Sequence, residues 1–142
     1  GIWIKRLLEG EPLLVFGDGK QLRDFNYVDD VVDALVASAT CPEAQGQIFN
    51  LGHDEPIDLI TAAETMVQVN GAGLHEIVPF PAGRKRIDIG DYYGDFRRAT
   101  EVMGWKPKTS FRDGIEKTID YYRQHGEHYL EPPRAPEGGD DE

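Results

Sequence analysis

The stretch from residue 13 to residue 25, LLVFGDGKQLRDF, decides the fold class of this 142-residue chain. Its four apolar residues Leu13–Phe16 predict a short strand, because a brief apolar run that ends at glycine is typical of buried strands. Residues 17–20, GDGK, predict a tight turn. Residues 22–28 alternate imperfectly between polar and apolar positions, which indicates a second extended segment after the turn.

On both sides of this stretch, apolar spacing and capping residues predict further helices and strands. Helices are predicted at residues 2–9, after Asp29, from Asp58 to about residue 69, at residues 96–103 after Asp95, and from Ser110 onward. Strands are predicted at residues 47–51 and 75–80, and residues 84–91 are predicted to form a polar loop or an irregular strand. This alternation of mixed strands and helices makes the predicted fold class α/β.

The chain is predicted to hold one folded unit and a tail. Residues 1–130 have the patterning of a folded domain, whereas residues 131–142 are mostly proline, glycine and acidic residues and predict a disordered tail. Residues 2–9 already have the pattern of the middle of a helix, and no methionine precedes them. We therefore expect the chain to be part of a longer protein.

Charge and cysteine content narrow the function classes. The chain has 15 Lys and Arg against 26 Asp and Glu, a net charge of −11, which disfavours nucleic-acid backbones and anionic membranes as partners. Its single cysteine, Cys41, excludes an internal disulfide and fits a reducing compartment. No apolar run approaches the roughly 18 residues of a membrane span. We therefore expect a cytoplasmic protein that binds neither nucleic acid nor membrane.

Several catalytic and cofactor motifs are missing from the sequence. A dinucleotide cradle needs Gly-x-Gly-x-x-Gly between a strand and a helix. Leu22 takes the third glycine position after Gly17 and Gly19, and the pair Gly71 and Gly73 fails in the same way. No tyrosine is followed by lysine four residues later. We therefore expect no catalytic residue, no cofactor-binding residue and no bound NAD in this chain alone.

The glycine turn carries the densest set of candidate binding residues. An arginine such as Arg23, which emerges from the turn onto an extended segment, can hold a phosphate through two parallel hydrogen bonds. An aromatic side chain at Phe16 can stack on a nucleobase. The alternative is a structural turn in which Arg23 and Asp24 form an ion pair.

Two other polar groups have weaker patterns. The basic run Arg84-Lys85-Arg86 can neutralise a diphosphate, although a solvated loop is the simpler interpretation. His125 and His128, with Glu131 nearby, have the helical spacing of metal ligands. No third ligand is fixed in position beside these histidines, so we expect no metal site.

Taken in order, four motifs resemble the extended short-chain dehydrogenases/reductases, the NAD-dependent nucleotide-sugar epimerases and dehydratases. They are LxVFGDGxQxRDFxYVxDV at residues 13–31, FNLG at residues 49–52, GWxP at residues 104–107, and GIxxTIxYY at residues 114–122. The resemblance implies the C-terminal part of such an enzyme, with the N-terminal dinucleotide-binding half missing. Residues 1–130 would hold the sugar-nucleotide-binding lobe together with the last strand and helices of the dinucleotide fold.

The resemblance also assigns substrate-binding residues. It implies that Phe16 lies near the base, that Arg23 holds the diphosphate, and that Tyr92 lies on the sugar side. The family's Arg-x-Gly-Asp motif falls on residues 85–88, so its aspartate is Asp88 and Lys85 takes the place of its arginine. Arg84 and Arg86 flank that lysine, and each of the three cations is a candidate phosphate contact.

The implied parent transfers a hydride between a sugar ring and NAD, which permits epimerisation or elimination of water. The implied partners are a nucleotide sugar, with UDP or dTDP types favoured, the missing N-terminal half and, as a further candidate, a second copy of the chain. The alternative is an interaction or regulatory module that retains the fold without catalysis.

Overall fold

A computed structural model describes residues 1–85 and 88–129 of the chain. Its helices are α1 (Ile2–Leu8), α2 (Val28–Thr40), α3 (Leu59–Asn70), α4 (Ala82–Lys85), α5 (Arg97–Met103) and α6 (Phe111–His125). Its strands are β1 (Leu13–Phe16), β2 (Leu22–Arg23), β3 (Ile57–Asp58) and β4 (His75–Val78). Short 3-10 turns follow α2 at Pro42–Ala44 and α6 at Gly126–His128. The predicted α/β class is confirmed, and the tail predicted at residues 131–142 lies outside the described residues.

The first core is built around the parallel pair β1 and β4. The register of this pair places Leu13 opposite His75 and Phe16 opposite Val78. Leu13 and Val15, on one face of β1, are fully buried, because helices α1 and α3 pack against β1 and α6 packs on both helices. The buried members of this core are Ile4, Leu7, Leu13, Val15, Ala63, Met66 and Ile119.

The second core joins α2 and α5 through Trp105. The indole of Trp105 packs with Ala34 and Ala99 and donates a hydrogen bond of 2.7 Å to the backbone carbonyl of Asp30. The carboxylate of Asp30 is itself buried and accepts a hydrogen bond of 2.9 Å from the backbone N–H of Thr109. Asp30 thus binds the loop that precedes α6 to the first turn of α2.

A buried histidine holds the same loop from its other side. Nε2 of His53 lies 3.3 Å from the carbonyl of Thr109, whose N–H is bound by Asp30. Nδ1 of His53 accepts from the N–H of Glu55, and the tautomer with its proton on Nε2 donates to the carbonyl of Thr109. Hydrogen bonds between buried partners of this kind specify one arrangement, because each group left unpaired would cost free energy.

Two predicted helix caps are confirmed. The carboxylate of Asp58 accepts a hydrogen bond of 2.6 Å from the N–H of Thr61, and this bond lowers the pKa of Asp58. Ser110 accepts a hydrogen bond of 3.1 Å from the N–H of Asp113 at the start of α6. Both caps are local contacts between residues three apart, which is the geometry that N-capping requires.

The cap predicted at Asp29 is wrong. Helix α2 begins one residue earlier, at Val28, and its N-cap residue Tyr27 makes no side-chain capping bond. Asp95 also lies one position before the N-cap residue of α5, Phe96. It still accepts from the N–H of Arg97, and its hydrogen bonds from the Arg97 guanidinium lower the pKa of Asp95 to about 2.

Three predicted segments differ from the structure. Within residues 1–85 and 88–129 no strand pairs with residues 47–51, and this segment is irregular, with Ile48 84% exposed. Its side chains Phe49 and Leu51 pack on the second core, but a strand also needs a neighbour for its backbone groups. The segment 84–91, predicted as a polar loop or an irregular strand, begins within the helical turn α4, and the predicted strand 75–80 ends at Val78.

The buried carboxylate of Asp30 predicts a large difference between two adjacent residues. We expect Asp30→Ala to lower the free energy of unfolding by about 1–3 kcal/mol, because it leaves the Thr109 N–H without its acceptor. Asp29→Ala is the matched control, and we expect it to cost less than about 1 kcal/mol, the range of a charge at a helix N-terminus. Chemical denaturation of both variants measures the difference. Equal losses would contradict the role of Asp30.

Candidate functional site

The candidate site begins at the turn between β1 and β2. Gly17 and Gly19 have φ angles of 78° and 68°, a region that favours glycine, and the N–H of Gly17 donates to the carbonyl of Val78 at 2.9 Å. A Cβ on Gly17 would collide with the ring of Phe80, and one on Gly19 would lie 2.6 Å from Ile60. The turn is therefore packed as well as bent.

Gln21 closes this turn from inside. Its side-chain amide is buried and donates a hydrogen bond of 3.2 Å to the backbone carbonyl of Phe16. The carbonyl of Gly19 accepts a hydrogen bond of 3.2 Å from the N–H of Ile60, which ties the turn to α3. Residues 22–23 then leave the turn as β2 and pair in antiparallel fashion with β3.

The other edge of β2 is covered by residues 88–94. The N–H of Leu22 donates to the carboxylate of Asp91 at 2.9 Å, and the carbonyl of Leu22 accepts from the N–H of Tyr92 at 3.0 Å. Two residues later, Asp24 accepts from the N–H of Gly94 at 2.7 Å. These bonds bring two sequence segments about 70 residues apart into one polar site.

Arg23 lies at the centre of that site. Its Nη1 donates to the backbone carbonyls of Leu22, at 2.7 Å, and Gly90. Its Nη2 lies 3.6 Å from Oδ1 of Asp88, which is an ion-pair distance. Asp24 instead accepts a hydrogen bond from the backbone N–H of Gly94. The alternative prediction of an ion pair between Arg23 and Asp24 is therefore wrong. The reason is that adjacent residues in an extended segment point to opposite faces.

The structure brings together three of the predicted substrate-binding residues, Arg23, Asp88 and Tyr92. The backbones of Arg23 and Tyr92 form an isolated parallel bridge, and the Tyr92 side chain is exposed. Phe16 lies on the other side of the turn, with its ring centroid 6.0 Å from that of Phe80. Lys85 is exposed at the end of α4.

Two of the predicted cations lie outside what the structure describes. Arg86 and the side chain of Arg84 are outside the described residues, so the structure gives no contact for them. The residue motifs did not point to Asp91 or Gly90, which hold the backbone and side chain of β2 in place. In the sequence, the only indication of a role for Gly90 and Asp91 is their position close to Tyr92 in a polar segment.

The residues at the glycine turn do not fit NAD. A dinucleotide cradle leads from a strand into a helix, whose N-terminus receives the pyrophosphate. Here the turn leads into β2, and the space above Gly17 is filled by Phe80. The glycine turn therefore lacks the geometry of a dinucleotide cradle.

Metal ligands do not cluster in the part of the chain that the structure describes. Among those residues, no group of three or more His, Cys, Asp and Glu side chains could hold a metal ion. Glu131, the candidate ligand beside His125 and His128, lies outside the described residues.

No described helix has the length and apolar character needed to span a bilayer.

The contact between the glycine turn and Phe80 predicts a steric cost beyond backbone strain. We expect Gly17→Ala to destabilise the chain by roughly 1–3 kcal/mol more than Gly10→Ala does. Gly10 has nearly the same φ, 74°, but apart from its chain neighbours no atom of the described residues lies within 4 Å of the position that a Cβ would take, so it reports the backbone strain alone. Thermal or urea unfolding measures the difference, and equal losses would show that Phe80 gives way freely.

Comparison with known proteins relates the chain to one family. The model of the NAD dependent epimerase/dehydratase family matches residues 1–52. UDP-glucuronic acid decarboxylase 1 of Xenopus tropicalis is 34% identical over 131 residues, 89% of this chain and 29% of that protein. UDP-glucose 4-epimerase of Mycolicibacterium smegmatis is 34% identical over 133 residues, 86% of this chain and 38% of that protein.

Solved structures share the fold. The crystal structure of a UDP-glucose 4-epimerase from Thermotoga maritima with UDP-glucose aligns with a TM-score of 0.73 and 29% identity, over 87% of this chain and 38% of that one. An epimerase from Methanothermobacter thermautotrophicus aligns with a TM-score of 0.81 and 25% identity, over 89% of this chain and 37% of that one. The chain thus spans well under half the length of these relatives. By sequence and by fold, it is homologous to the NAD-dependent epimerase/dehydratases of the extended short-chain dehydrogenase/reductase family.

Proposed function

We propose that this chain is the nucleotide-sugar-binding portion of an NAD-dependent epimerase/dehydratase and that it is inactive by itself. The observation that carries the proposal is the guanidinium of Arg23, which backbone carbonyls hold at the junction of β2 and residues 88–94. An arginine fixed in this way is suited to a diphosphate, because little of its freedom remains to be lost on binding. The proposed ligand is a UDP- or dTDP-sugar.

The positions of the other candidate residues around Arg23 suggest which part of the ligand each one would contact. Phe16 would stack near the base from the far side of the glycine turn, and Tyr92 would lie on the sugar side. Lys85 would supply a second cation to the phosphates, as a point charge rather than a fork, with Arg84 and Arg86 as its alternatives. Asp88 takes its place beside these residues as the ion-pair partner of Arg23.

The remainder of the family fold would supply what this chain lacks. Catalysis of epimerisation or elimination, and the binding of NAD, would belong to that remainder. The face of α2 formed by Val28, Val32, Leu35 and Val36 is exposed, and we propose that it docks there. Contiguous apolar side chains of this kind are typical of an interaction surface.

A second candidate function is a non-catalytic interaction or regulatory module. The exposed apolar face of α2 also favours it, since a separate protein could occupy the same face. The two candidates differ at Arg23: a module without catalysis needs no affinity for a nucleotide sugar.

Substitution of Arg23 tests the proposed ligand. We expect Arg23→Ala to weaken the binding of UDP-glucose by about tenfold to a hundredfold, the effect of losing a charged hydrogen-bonding group. Arg23→Lys should recover part of this loss, because one ammonium cannot copy the fork of a guanidinium. Titration calorimetry of each variant measures the affinities.

Two controls accompany this measurement. Thermal unfolding of the same variants shows whether a loss of affinity reflects a loss of fold, since Arg23 also binds the carbonyl of Gly90. Titration with NAD should give no binding to the wild-type chain. A lowered melting temperature with unchanged affinity for UDP-glucose would make Arg23 a scaffold residue and remove the central argument for the proposal.

The apolar face of α2 predicts association of the isolated chain. We expect the chain to bind a hydrophobic dye and to self-associate with rising concentration, because Leu35 and Val36 are 62% and 59% exposed on this face. The double variant Leu35→Asp/Val36→Asp should lose both properties, whereas Leu74→Asp, at an exposed residue outside α2, should keep them. Sedimentation that shows a monomer without dye binding at any concentration would contradict this expectation.

A further inference from the structure

We propose that Asp88 is a counter-ion that the phosphates of a ligand must replace at Arg23, so that this carboxylate lowers the affinity of the site. The inference rests on the proposed function, because it takes Arg23 as the phosphate contact. Its starting observation is the ion pair between Nη2 of Arg23 and Oδ1 of Asp88, 3.6 Å apart, with side chains 24% and 27% exposed. Water screens a pair at this depth less than a pair on the surface.

The guanidinium stays in place without Asp88. Its Nη1 is held by the carbonyls of Leu22 and Gly90, which are backbone groups and carry no titratable charge. These two backbone hydrogen bonds therefore orient the Nη2 edge of the guanidinium toward Asp88. That orientation does not depend on the carboxylate of Asp88. Removal of the Asp88 charge frees that edge and leaves Arg23 in the same position.

A phosphate can make a closer contact with Arg23 than Asp88 does. The separation of 3.6 Å exceeds the 2.7–2.9 Å that is typical of charge-assisted N–H···O bonds, so the carboxylate attracts the guanidinium without a short hydrogen bond. A diphosphate carries more negative charge and offers oxygens that match the guanidinium fork. Replacement of the Asp88 carboxylate by a phosphate at Arg23 is therefore favourable, but the free energy of the ion pair between Arg23 and Asp88 is lost.

Asp88 is also able to turn away. The hydrogen bonds that anchor this segment come from Gly90, Asp91, Tyr92 and Gly94. Asp88 lies before all four of these residues, so its carboxylate can leave Arg23 without breaking one of those bonds. The anchors keep the segment on β2 while the counter-ion is exchanged.

Titration calorimetry with UDP tests the inference on the full chain. We expect Asp88→Asn to bind UDP about two- to fivefold more tightly than the wild type, the range set by a partly exposed ion pair. The matched control is Glu64→Gln, which removes one negative charge from an exposed position on α3, and it should change the affinity by less than about twofold. In an Arg23→Ala background, Asp88→Asn should give no gain.

The outcomes separate this inference from the proposed function. If the wild type binds UDP and Asp88→Asn binds it equally or more weakly, Asp88 is not a competing counter-ion, and the proposed function stands. A gain that persists in the Arg23→Ala background would also overturn the inference, because the charge would then act elsewhere. If neither the wild type nor Asp88→Asn binds UDP while both are folded by circular dichroism, the proposed function and the inference both fail.

Discussion

The candidate site depends on the backbone of two residues, Leu22 and Arg23, which carry hydrogen bonds on both edges. On one edge β2 pairs with β3, and on the other edge Leu22 is bound by Asp91 and by the N–H of Tyr92. A two-residue strand has little stability of its own, so the segments on its two sides hold it together. The guanidinium of Arg23 then binds the same segment that covers its own strand, through the carbonyl of Gly90. The side chain and the backbone of this short strand are thus fixed by one set of contacts.

The sequence predicted local contacts better than long-range contacts, for a physical reason. The caps at Asp58 and Ser110 are bonds between residues three apart, and any side chain of the right type at that position can make them. The choice between Asp29 and Asp30 depends on Thr109, which is 79 residues distant from Asp30. In the same way, the pattern of residues 47–51 is that of a strand, but a strand forms only where a neighbour takes its backbone bonds.

The same distinction holds for the candidate site. The glycine turn and Arg23 are visible as a local pattern, and the resemblance to the family added Asp88 and Tyr92. The hydrogen bond that joins β2 to residues 88–94 depends on Asp91, which is 69 residues from Leu22. No periodicity in either segment indicates this contact. The alternative prediction, an ion pair of Arg23 with its neighbour Asp24, is wrong because neighbours in an extended segment face opposite sides, and the partner of Arg23 comes from another segment.

A net charge of −11 opposes an anionic ligand at long range, but the acids around this site are largely engaged by backbone groups. Asp18 accepts from the N–H of Lys20, Asp58 from that of Thr61, and Asp91 from that of Leu22. Each bond offsets part of the charge with a peptide dipole. Charges farther away than about 10 Å are screened at ordinary ionic strength. The potential that a phosphate meets at Arg23 is therefore set by its near neighbours, and among the contacts described there Asp88 is the carboxylate that acts on the guanidinium directly.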